Sequence, residues 1–226
     1  MLHKETVTHE MWELLEMLMK DERLKEFNLV GGTALSLMIG HRLSIDLDLF
    51  STKDFDVQST LNHLSNEHPV KIREIFDNTM LLDIGRVKVD ILAHKYPWQE
   101  PVKTYEGIRL ASLQDIGAMK LHAIFQNGTR IKDFVDMYFL LEHHALKIYL
   151  EAYQNKYNGN PVLAAHSLLH HENIDREEKV KLLKGKENSW EKMAQRLKKA
   201  VFNPLLKFSK QKNQVYPHSN RRGFKR

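Results

Sequence analysis

The architecture of this chain is set by Leu29-Val-Gly-Gly-Thr-Ala-Leu-Ser-Leu37 and, close behind it, Gly40-His-Arg-Leu-Ser-Ile-Asp-Leu-Asp-Leu-Phe50. The first segment predicts a short apolar strand over residues 27–30 that ends at Gly31-Gly32, followed by a helix over residues 33–39. In the second segment apolar and polar residues alternate, which predicts a strand over residues 44–50. The pattern is therefore strand, glycine turn, short helix, strand.

Two acidic side chains share one face of this second strand. With a period of two residues, Asp46 and Asp48 point to the same side. Two such carboxylates repel each other unless a cation lies between them, and magnesium binds carboxylate and phosphate oxygens together. A later apolar strand, residues 86–93, contains Asp90, which could supply a third carboxylate. Three carboxylates on adjacent strands suit the two-metal mechanism of nucleotidyl transfer.

The paired glycines and a second acidic pair complete the local pattern. Gly31 and Gly32 precede a helix, so their bare backbone would let N–H groups approach a triphosphate at the N-terminus of that helix. A second Asp-x-Asp sequence, Asp54-Phe-Asp56, follows Ser51-Thr52. Acidic residues are common at helix N-termini for structural reasons, so we predict no catalytic role for this second pair.

The remaining segments predict strands first and helices afterwards. Strands are expected over residues 70–76, 80–84 and 86–93, and a capping box at Ser112-Leu-Gln-Asp115 opens a helical part. Because strands and helices are segregated along the chain, we predict the α+β class, with a small mixed-sheet core followed by a helical C-terminal bundle. The predicted parts are residues 1–106, 107–203 and 204–226. Helices are expected over residues 8–24, 57–67, 112–126, 132–143, 145–156, 161–171, 176–183 and 190–201.

The composition excludes several kinds of protein. The 226 residues are 42% hydrophobic and 28% charged, which is ordinary for a folded protein and too apolar for a disordered chain. Cysteine is absent, so disulfides, thiolate nucleophiles and cysteine-ligated zinc are excluded. No apolar run approaches the roughly 18 residues of a membrane span. We therefore expect a soluble cytoplasmic protein.

Positive charge is concentrated at the C-terminus. Residues 204–226 contain seven Lys or Arg and no acid, which leaves 27 basic and 29 acidic residues elsewhere. A solvated, partly disordered terminus explains this tail. So does an arm that neutralises nucleic-acid phosphates, with Phe208, Tyr216 and Phe224 available to stack on bases.

The segments quoted above resemble the nucleotidyltransferase AbiEii/AbiGii toxin family, part of the DNA polymerase β-like nucleotidyltransferase superfamily. In this chain 13 residues separate Gly32 from Asp46. The segments Lys120-Leu-His-Ala-Ile-Phe125 and Arg130-Ile-Lys-Asp-Phe-Val-Asp-Met-Tyr-Phe-Leu-Leu141 are similar to the second half of the family pattern, with Met137 where leucine is usual. The resemblance covers residues 27–142.

The resemblance implies roles for the first block of residues. Asp46 and Asp48 would hold the metals, and Asp90 would complete the carboxylate set and deprotonate the attacking hydroxyl. Arg42 could pair with the triphosphate, with Asp46, or in a structural salt bridge. The residues that would line the phosphates are Gly31, Gly32, Thr33 and Ser44.

The second block carries further implied roles. Without the resemblance, Lys120 would be interpreted as an unpaired lysine whose stem packs on a helix. With it, Lys120 is expected to contact a nucleotide phosphate. Asp133 and Asp136 lie on one helical face, and we favour Asp133 as the catalytic one, while the other caps the helix or pairs with Lys132 or Arg130.

The leading hypothesis is an enzyme that transfers a nucleoside monophosphate from an NTP to an acceptor, with two Mg²⁺ ions. The family suggests the toxin of a toxin–antitoxin or abortive-infection system, with a tRNA or another RNA as acceptor and a cognate antitoxin as partner. One alternative is a nucleotidyltransferase that modifies a small hydroxylated molecule. Another is a non-catalytic nucleotide-binding protein, which would not need three carboxylates that repel one another.

Overall fold

The computed structural model of the chain describes residues 1–175 and 177–209. The strands are β1 (Asn28–Val30), β2 (Asp46–Ser51), β3 (Val70–Phe76), β4 (Thr79–Ile84), β5 (Val87–Ala93), β6 (Lys103–Tyr105) and β7 (Ile108–Leu110). The helices are α1 (His9–Lys20), α2 (Gly31–Ile39), α3 (Val57–Glu67), α4 (Leu113–Gln126), α5 (Ile131–Leu140), α6 (Leu146–Tyr157), α7 (Pro161–Ser167) and α8 (Trp190–Phe202).

All of these strands belong to one mixed sheet, in the order β3-β4-β5-β2-β1-β7-β6. Strand β2 lies between β1, which is antiparallel to it, and β5, which is parallel to it. Strands β3, β4 and β5 form an antiparallel meander, and β1 pairs in parallel with β7. Within the described residues, five helices follow β7. The predicted α+β class, with a mixed-sheet core followed by helices, is confirmed.

One face of the sheet is the core, and the other carries the acids. On β2, Leu47 and Leu49 are fully buried while the residues between them are half-buried. The same alternation holds on β5, where Val89 and Ile91 are fully buried. Burial of four aliphatic side chains of this size contributes about 2 kcal/mol each relative to exposure. Because a slip of one residue would expose these apolar side chains, this face fixes the strand register and thereby keeps Asp46, Asp48 and Asp90 on the opposite face.

Two local predictions about helix starts are confirmed. Ser112 is the N-cap of α4, and its Oγ accepts a hydrogen bond of 2.9 Å from the Asp115 N–H. Asp56, in the second Asp-x-Asp sequence, is the N-cap of α3 and accepts from the Ser59 N–H at 2.9 Å. Its partner Asp54 pairs with Lys95. Both acids therefore have structural partners away from the first acidic pair.

The helix predicted over residues 176–183 is wrong for its described part, residues 177–183. These residues form backbone hydrogen bonds with the connection between α2 and β2, from Leu43 N–H to the Lys181 carbonyl at 2.8 Å and from Leu183 N–H to the His41 carbonyl at 3.0 Å. Val180 and Leu182 pack against helices α5 and α8. Tertiary hydrogen bonds replace the i→i−4 bonds of a helix, so the segment lies extended across that connection.

The short strands β6 and β7 were not predicted, because three residues each give no alternation. The chain reverses between them at Glu106 and Gly107, which both have positive φ. Within the described residues, none of the helices is both long enough and apolar enough to pass through a bilayer. The division into residues 1–106, 107–203 and 204–226 stays a prediction, and most of the basic tail, residues 210–226, lies outside the described residues.

Candidate active site

The two glycines sit where two side chains approach the backbone closely. Helix α2 begins at Gly31 directly after β1, and the φ of +67° at Gly31 lies in the left-handed region that favours glycine. A Cβ atom at Gly31 would come within 3.0 Å of the Asp48 carboxylate, and one at Gly32 would come within 3.0 Å of the Arg42 guanidinium. The Gly-Gly sequence is therefore required by the protein's own charged groups at this helix start.

Asp46 and Asp48 line one cavity of about 300 Å³. Burial, and then the negative charge of Asp46, raise the pKa of Asp48 to about 7. The ionised form of Asp48 is thus costly in the protein without a cation, as expected for two adjacent carboxylates. The other residues around the cavity are Val30, Gly31, Gly32, Arg42, Ser44, Phe50, Leu92, His94, Met119, Lys120, His122, Ala123, Gln126, Arg130, Lys132, Asp133 and Tyr157.

The third predicted carboxylate is a neighbour in the sheet but does not line this cavity. The strand of Asp90 is adjacent to that of the acidic pair, as predicted, and Asp90 lies opposite Asp48 in the parallel register of β2 and β5. Its carboxylate accepts a hydrogen bond from Arg73 on the edge strand β3. In residues 1–175 and 177–209, no three histidine or acidic side chains are grouped closely enough to hold a metal ion.

A magnesium site nevertheless fits the two carboxylates that face the cavity. Magnesium bound with a nucleotide takes one or two protein carboxylates and completes its shell with phosphate oxygens and water. Asp46 and Asp48 provide those oxygens, and the raised pKa of Asp48 indicates a place where a cation would relieve repulsion. The donor set therefore matches the ion.

A buried ionic cluster lies beside the cavity, and three of its members, Arg42, Lys120 and Asp133, line it. Asp136 on α5 is fully buried and accepts hydrogen bonds from Arg42 Nε at 2.7 Å and from Arg42 Nη2 at 2.9 Å. Lys120 Nζ on α4 lies 2.7 Å from Asp133 Oδ1 and 2.7 Å from Asp136 Oδ2. His41 Nε2 lies 2.8 Å from Asp136 Oδ1. The cluster joins the start of β2 to helices α4 and α5.

The charges of this cluster stabilise one another. Burial alone would raise the pKa of Asp136, but Arg42 and Lys120 hold it well below its ordinary value. Burial alone would lower the pKa of Lys120, but Asp133 and Asp136 raise it. Asp136, Arg42 and Lys120 are therefore ionised at neutral pH. Arg42, Lys120, Arg130 and Lys132 line the cavity with Asp133, so this side of it carries a net positive charge, and we call it the cationic wall.

The far end of the cavity is aromatic. The rings of His122 and Tyr157 are stacked, with centroids 4.0 Å apart and planes 7° apart. His94 Nε2 lies 3.0 Å from the Tyr157 hydroxyl, and Phe50 lines the same end. Burial, and then the charge of Lys156, lower the pKa of His94 to about 4, so its ring is neutral at pH 7. This end of the cavity is therefore aromatic and uncharged, and the faces at which His122 and Tyr157 meet are covered by each other.

The family described as nucleotidyl transferase AbiEii toxin, type IV TA system, matches residues 13–209. The chain belongs to this family. The match contains every cavity-lining residue named above, and it confirms the family inferred from the motifs.

Relatives of this AbiEii-family chain include the uncharacterized protein aq_aa25 of Aquifex aeolicus, which is 35% identical over 136 residues. That alignment covers 58% of this chain and 66% of the Aquifex protein, just under two thirds of its length. Among solved structures, MenT4, a nucleotidyltransferase toxin of Mycobacterium tuberculosis, superposes with a TM-score of 0.56 at 13% identity, covering 85% of this chain and 82% of its own. JHP933 of Helicobacter pylori gives 0.53 at 21% identity, covering 86% and 88%. These structures share the fold.

Most of the predicted site residues of this AbiEii-family chain surround one cavity. They are Gly31, Gly32, Arg42, Ser44, Asp46, Asp48, Lys120 and Asp133. Thr33 and Asp90 do not line it. The Thr33 hydroxyl is buried and contacts Ser44 Oγ at 2.8 Å and the Asp46 carbonyl, so it fastens α2 to the segment entering β2. A role for Thr33 at the phosphates stays a prediction.

Sequence reasoning missed two groups around the cavity. One is cationic, Arg130 and Lys132, which both precede Asp133 and could have been found from the charges at the start of α5. The other is the aromatic end, whose members come from β2, β5, α4 and α6. No local spacing connects these four elements, so the aromatic group had no sequence signal. For Arg42 the structure shows the structural salt bridge, with Asp136. The expected pairing of Asp136 with Lys132 or Arg130 is wrong, because Asp136 is buried against Arg42, Lys120 and His41.

Proposed function

We propose that this chain transfers a nucleoside monophosphate from an NTP to an acceptor hydroxyl. The acceptor oxygen forms a bond to the α-phosphorus, the bond from that phosphorus to the bridging oxygen breaks, and pyrophosphate leaves. The hydroxyl proton passes to a carboxylate, for which we propose Asp90. The observation that carries the proposal is the single cavity that joins an acidic pair, a cationic wall and an aromatic end. These three surfaces match the metal-bound phosphates and the base of an NTP.

Magnesium completes this proposal. Asp46 and Asp48 would hold two ions, with Asp90 as the third carboxylate. Bound magnesium would neutralise charge on the phosphates and on the departing pyrophosphate. The two carboxylates already face the cavity, and their mutual repulsion supports a cation between them.

The cationic wall retains donors for the phosphates. A guanidinium has five N–H groups. Arg42 uses three of them, on Asp136 and on the Leu43 carbonyl at 3.0 Å, so two remain for the triphosphate. Lys120 has three donors, of which Asp133 and Asp136 take two. Its position in the wall supports a phosphate contact, together with the backbone at Gly31 and Gly32.

The aromatic end is proposed to hold the nucleobase. Stacking of a base on an aromatic side chain is worth about 1–3 kcal/mol and tolerates every base. Tyr157 is already held by its contact with His94 and by its stacking on His122. Binding a base would therefore cost little side-chain conformational entropy at this position. Gln126 lines the same cavity and carries an amide that could donate to or accept from a base edge.

For the acceptor we propose an RNA such as a tRNA, and for the biological role a toxin with a cognate antitoxin. The family is described as the toxin of a type IV toxin–antitoxin system. Seven cations in residues 204–226 support a nucleic-acid acceptor, since a small hydroxylated substrate would not need them. The proposed parts, residues 1–106 and 107–203, would supply the acidic pair and Lys120 to the same NTP.

A labelling experiment tests the proposal. The protein is incubated with each α-labelled NTP in turn, with magnesium and total RNA, and the label is followed into RNA, protein and small molecules. We expect magnesium-dependent transfer that is lost in Asp46→Asn and Asp48→Asn. The matched control is Asp54→Asn, which alters the other Asp-x-Asp sequence and a surface ion pair with Lys95.

The destination of the label separates the alternatives. Label in RNA supports the proposed acceptor, whereas label in small molecules would replace it with a small hydroxylated substrate. Tight NTP binding without any magnesium-dependent transfer would indicate a nucleotide-binding protein instead. Transfer that survives in both Asp46→Asn and Asp48→Asn would show that this cavity is not the active site.

A further inference from the structure

A β-bulge in the edge strand β3 directs an arginine toward the acidic face of the sheet. In the pairing of β3 with β4, Ile72 lies opposite Leu82 and Glu74 lies opposite Leu81, so Arg73 is the extra residue. Bulges are common beside active sites, where they change the direction of a side chain. The Arg73 side chain accordingly crosses β4 and reaches Asp90 on β5.

Three acceptors hold this arginine. Its guanidinium donates to the Leu82 carbonyl at 3.3 and 3.4 Å, lies 3.2 Å from Asp83 Oδ1, and donates to Asp90. Arg73 would therefore keep two partners, on Leu82 and Asp83, if Asp90 turned away. The side chains of Arg73 and Asp90 are 28% and 31% exposed, so the pair between them can open without burying a bare charge.

Asp90 is at the same time the carboxylate nearest in register to the acidic pair. It lies opposite Asp48, yet it does not line the cavity that Asp46 and Asp48 share. In the described residues no three acids are grouped to hold a metal, even though the strand register would allow it. The guanidinium of Arg73 neutralises the Asp90 carboxylate in the place where a bound cation would otherwise do so.

We propose that Arg73 competes with a divalent cation for Asp90. Arg73 is then a positioning residue, which holds the third carboxylate aside until a cation displaces it and so lowers the affinity of the acidic site for that cation. The proposal rests on the proposed function only in placing the cation at Asp46 and Asp48.

The test measures Mn²⁺ binding to the full chain by calorimetry and by the loss of the free-Mn²⁺ paramagnetic resonance signal. Removing a charge-assisted hydrogen bond that competes with the ion should lower the Mn²⁺ dissociation constant about tenfold in Arg73→Gln. Lys71→Gln is the matched control, because Lys71 is exposed on the same strand and its loss changes the net charge equally. Its effect should stay within about twofold, as for a screened surface charge.

Two more variants isolate the contact. In an Asp90→Asn background, Arg73→Gln should leave the Mn²⁺ affinity unchanged, because the contested ligand is gone. Arg73→Lys keeps the charge but loses the fork that spans Asp83 and Asp90, so its affinity should fall between those of the wild type and Arg73→Gln. Folding of each variant is checked by circular dichroism, and Arg73→Lys alone decides the matter if Arg73→Gln does not fold.

Unchanged or weaker Mn²⁺ binding in the folded Arg73 variants would overturn the proposal. An equal gain of Mn²⁺ affinity in Lys71→Gln would also overturn it, because the loss of one positive charge would then explain the effect without the contact to Asp90. Failure of the proposed function would give a different result. Either the wild type would not bind Mn²⁺, or Asp48→Asn would leave its Mn²⁺ affinity unchanged.

Discussion

The carboxylate of Asp136 accepts hydrogen bonds from both Nε and Nη2 of Arg42, at 2.7 and 2.9 Å, and the pair is buried. Arg42 precedes β2, and Asp136 lies in the middle of α5. The pair therefore ties the segment entering the strand of Asp46 and Asp48 to α5, and Asp136 in turn pairs with Lys120 on α4. It connects the acidic side of the cavity to the cationic wall through buried contacts.

Asp136→Asn should destabilise the protein by about 3–5 kcal/mol, because it leaves two buried cations without their shared counter-ion. Urea unfolding followed by circular dichroism measures this. The control is Glu151→Gln, which removes the exposed Lys147–Glu151 pair at 3.5 Å and should cost less than about 1 kcal/mol. Similar small losses in the two variants would mean that the buried cluster does not hold the sheet and helices together.

Asp48→Asn should stabilise the protein without divalent cations, and more so as the pH rises. The folded pKa of Asp48 is raised to about 7 by burial and by Asp46, from the ordinary value of 3.8. Between these values the unfolded chain releases a proton that the folded chain retains, so wild-type stability falls with pH and levels off above about pH 7. From pH 4 to pH 8 the stability of the variant relative to the wild type should rise by up to about 4 kcal/mol, at about 1.4 kcal/mol for each unit of the pKa shift. Melting temperatures from pH 4 to 8 test this, and a constant difference would contradict it.

Much of the fold and half of the site were predictable because their signals are local. The alternation in residues 44–50 places Asp46 and Asp48 together, and the strand containing Asp90 follows from its own alternation. The ionic cluster was not predictable in detail, because Arg42 and Asp136 are 94 residues apart and meet only through packing. Lys120 illustrates the difference. Its sequence allowed an unpaired lysine, and the fold surrounds it with two carboxylates.

Tyr157→Ala should weaken NTP binding about tenfold or more without abolishing the fold, because one stacking face of the proposed base end is lost. Tyr157→Phe keeps the ring but not the hydroxyl that meets His94, so it should bind NTP nearly as the wild type does. Fluorescence or calorimetric titration with NTP gives both affinities. Equal loss in the two variants would assign the effect to the hydroxyl, and no loss in either would place the base elsewhere.

Truncation after Ser209 should weaken binding to RNA while leaving nucleotidyl transfer intact at high acceptor concentration. It removes six cations and no acid, which takes the net charge from +5 to −1. The loss of three phosphate contacts would reduce the log–log slope of affinity against salt by about two to three units. Filter binding across a range of salt concentrations measures the slope. Identical slopes for the full and truncated proteins would show that residues 210–226 do not contact RNA phosphates.

The central claim is that the acidic pair carries out the transfer, and pyrophosphate release measured beside label incorporation tests it most directly. With the preferred NTP, magnesium and acceptor, the wild type and Asp54→Asn should release one pyrophosphate for each nucleoside monophosphate transferred. Asp48→Asn should produce neither, since it retains the shape of the side chain and removes its charge. Equal pyrophosphate release and transfer in Asp48→Asn and the wild type would contradict the account.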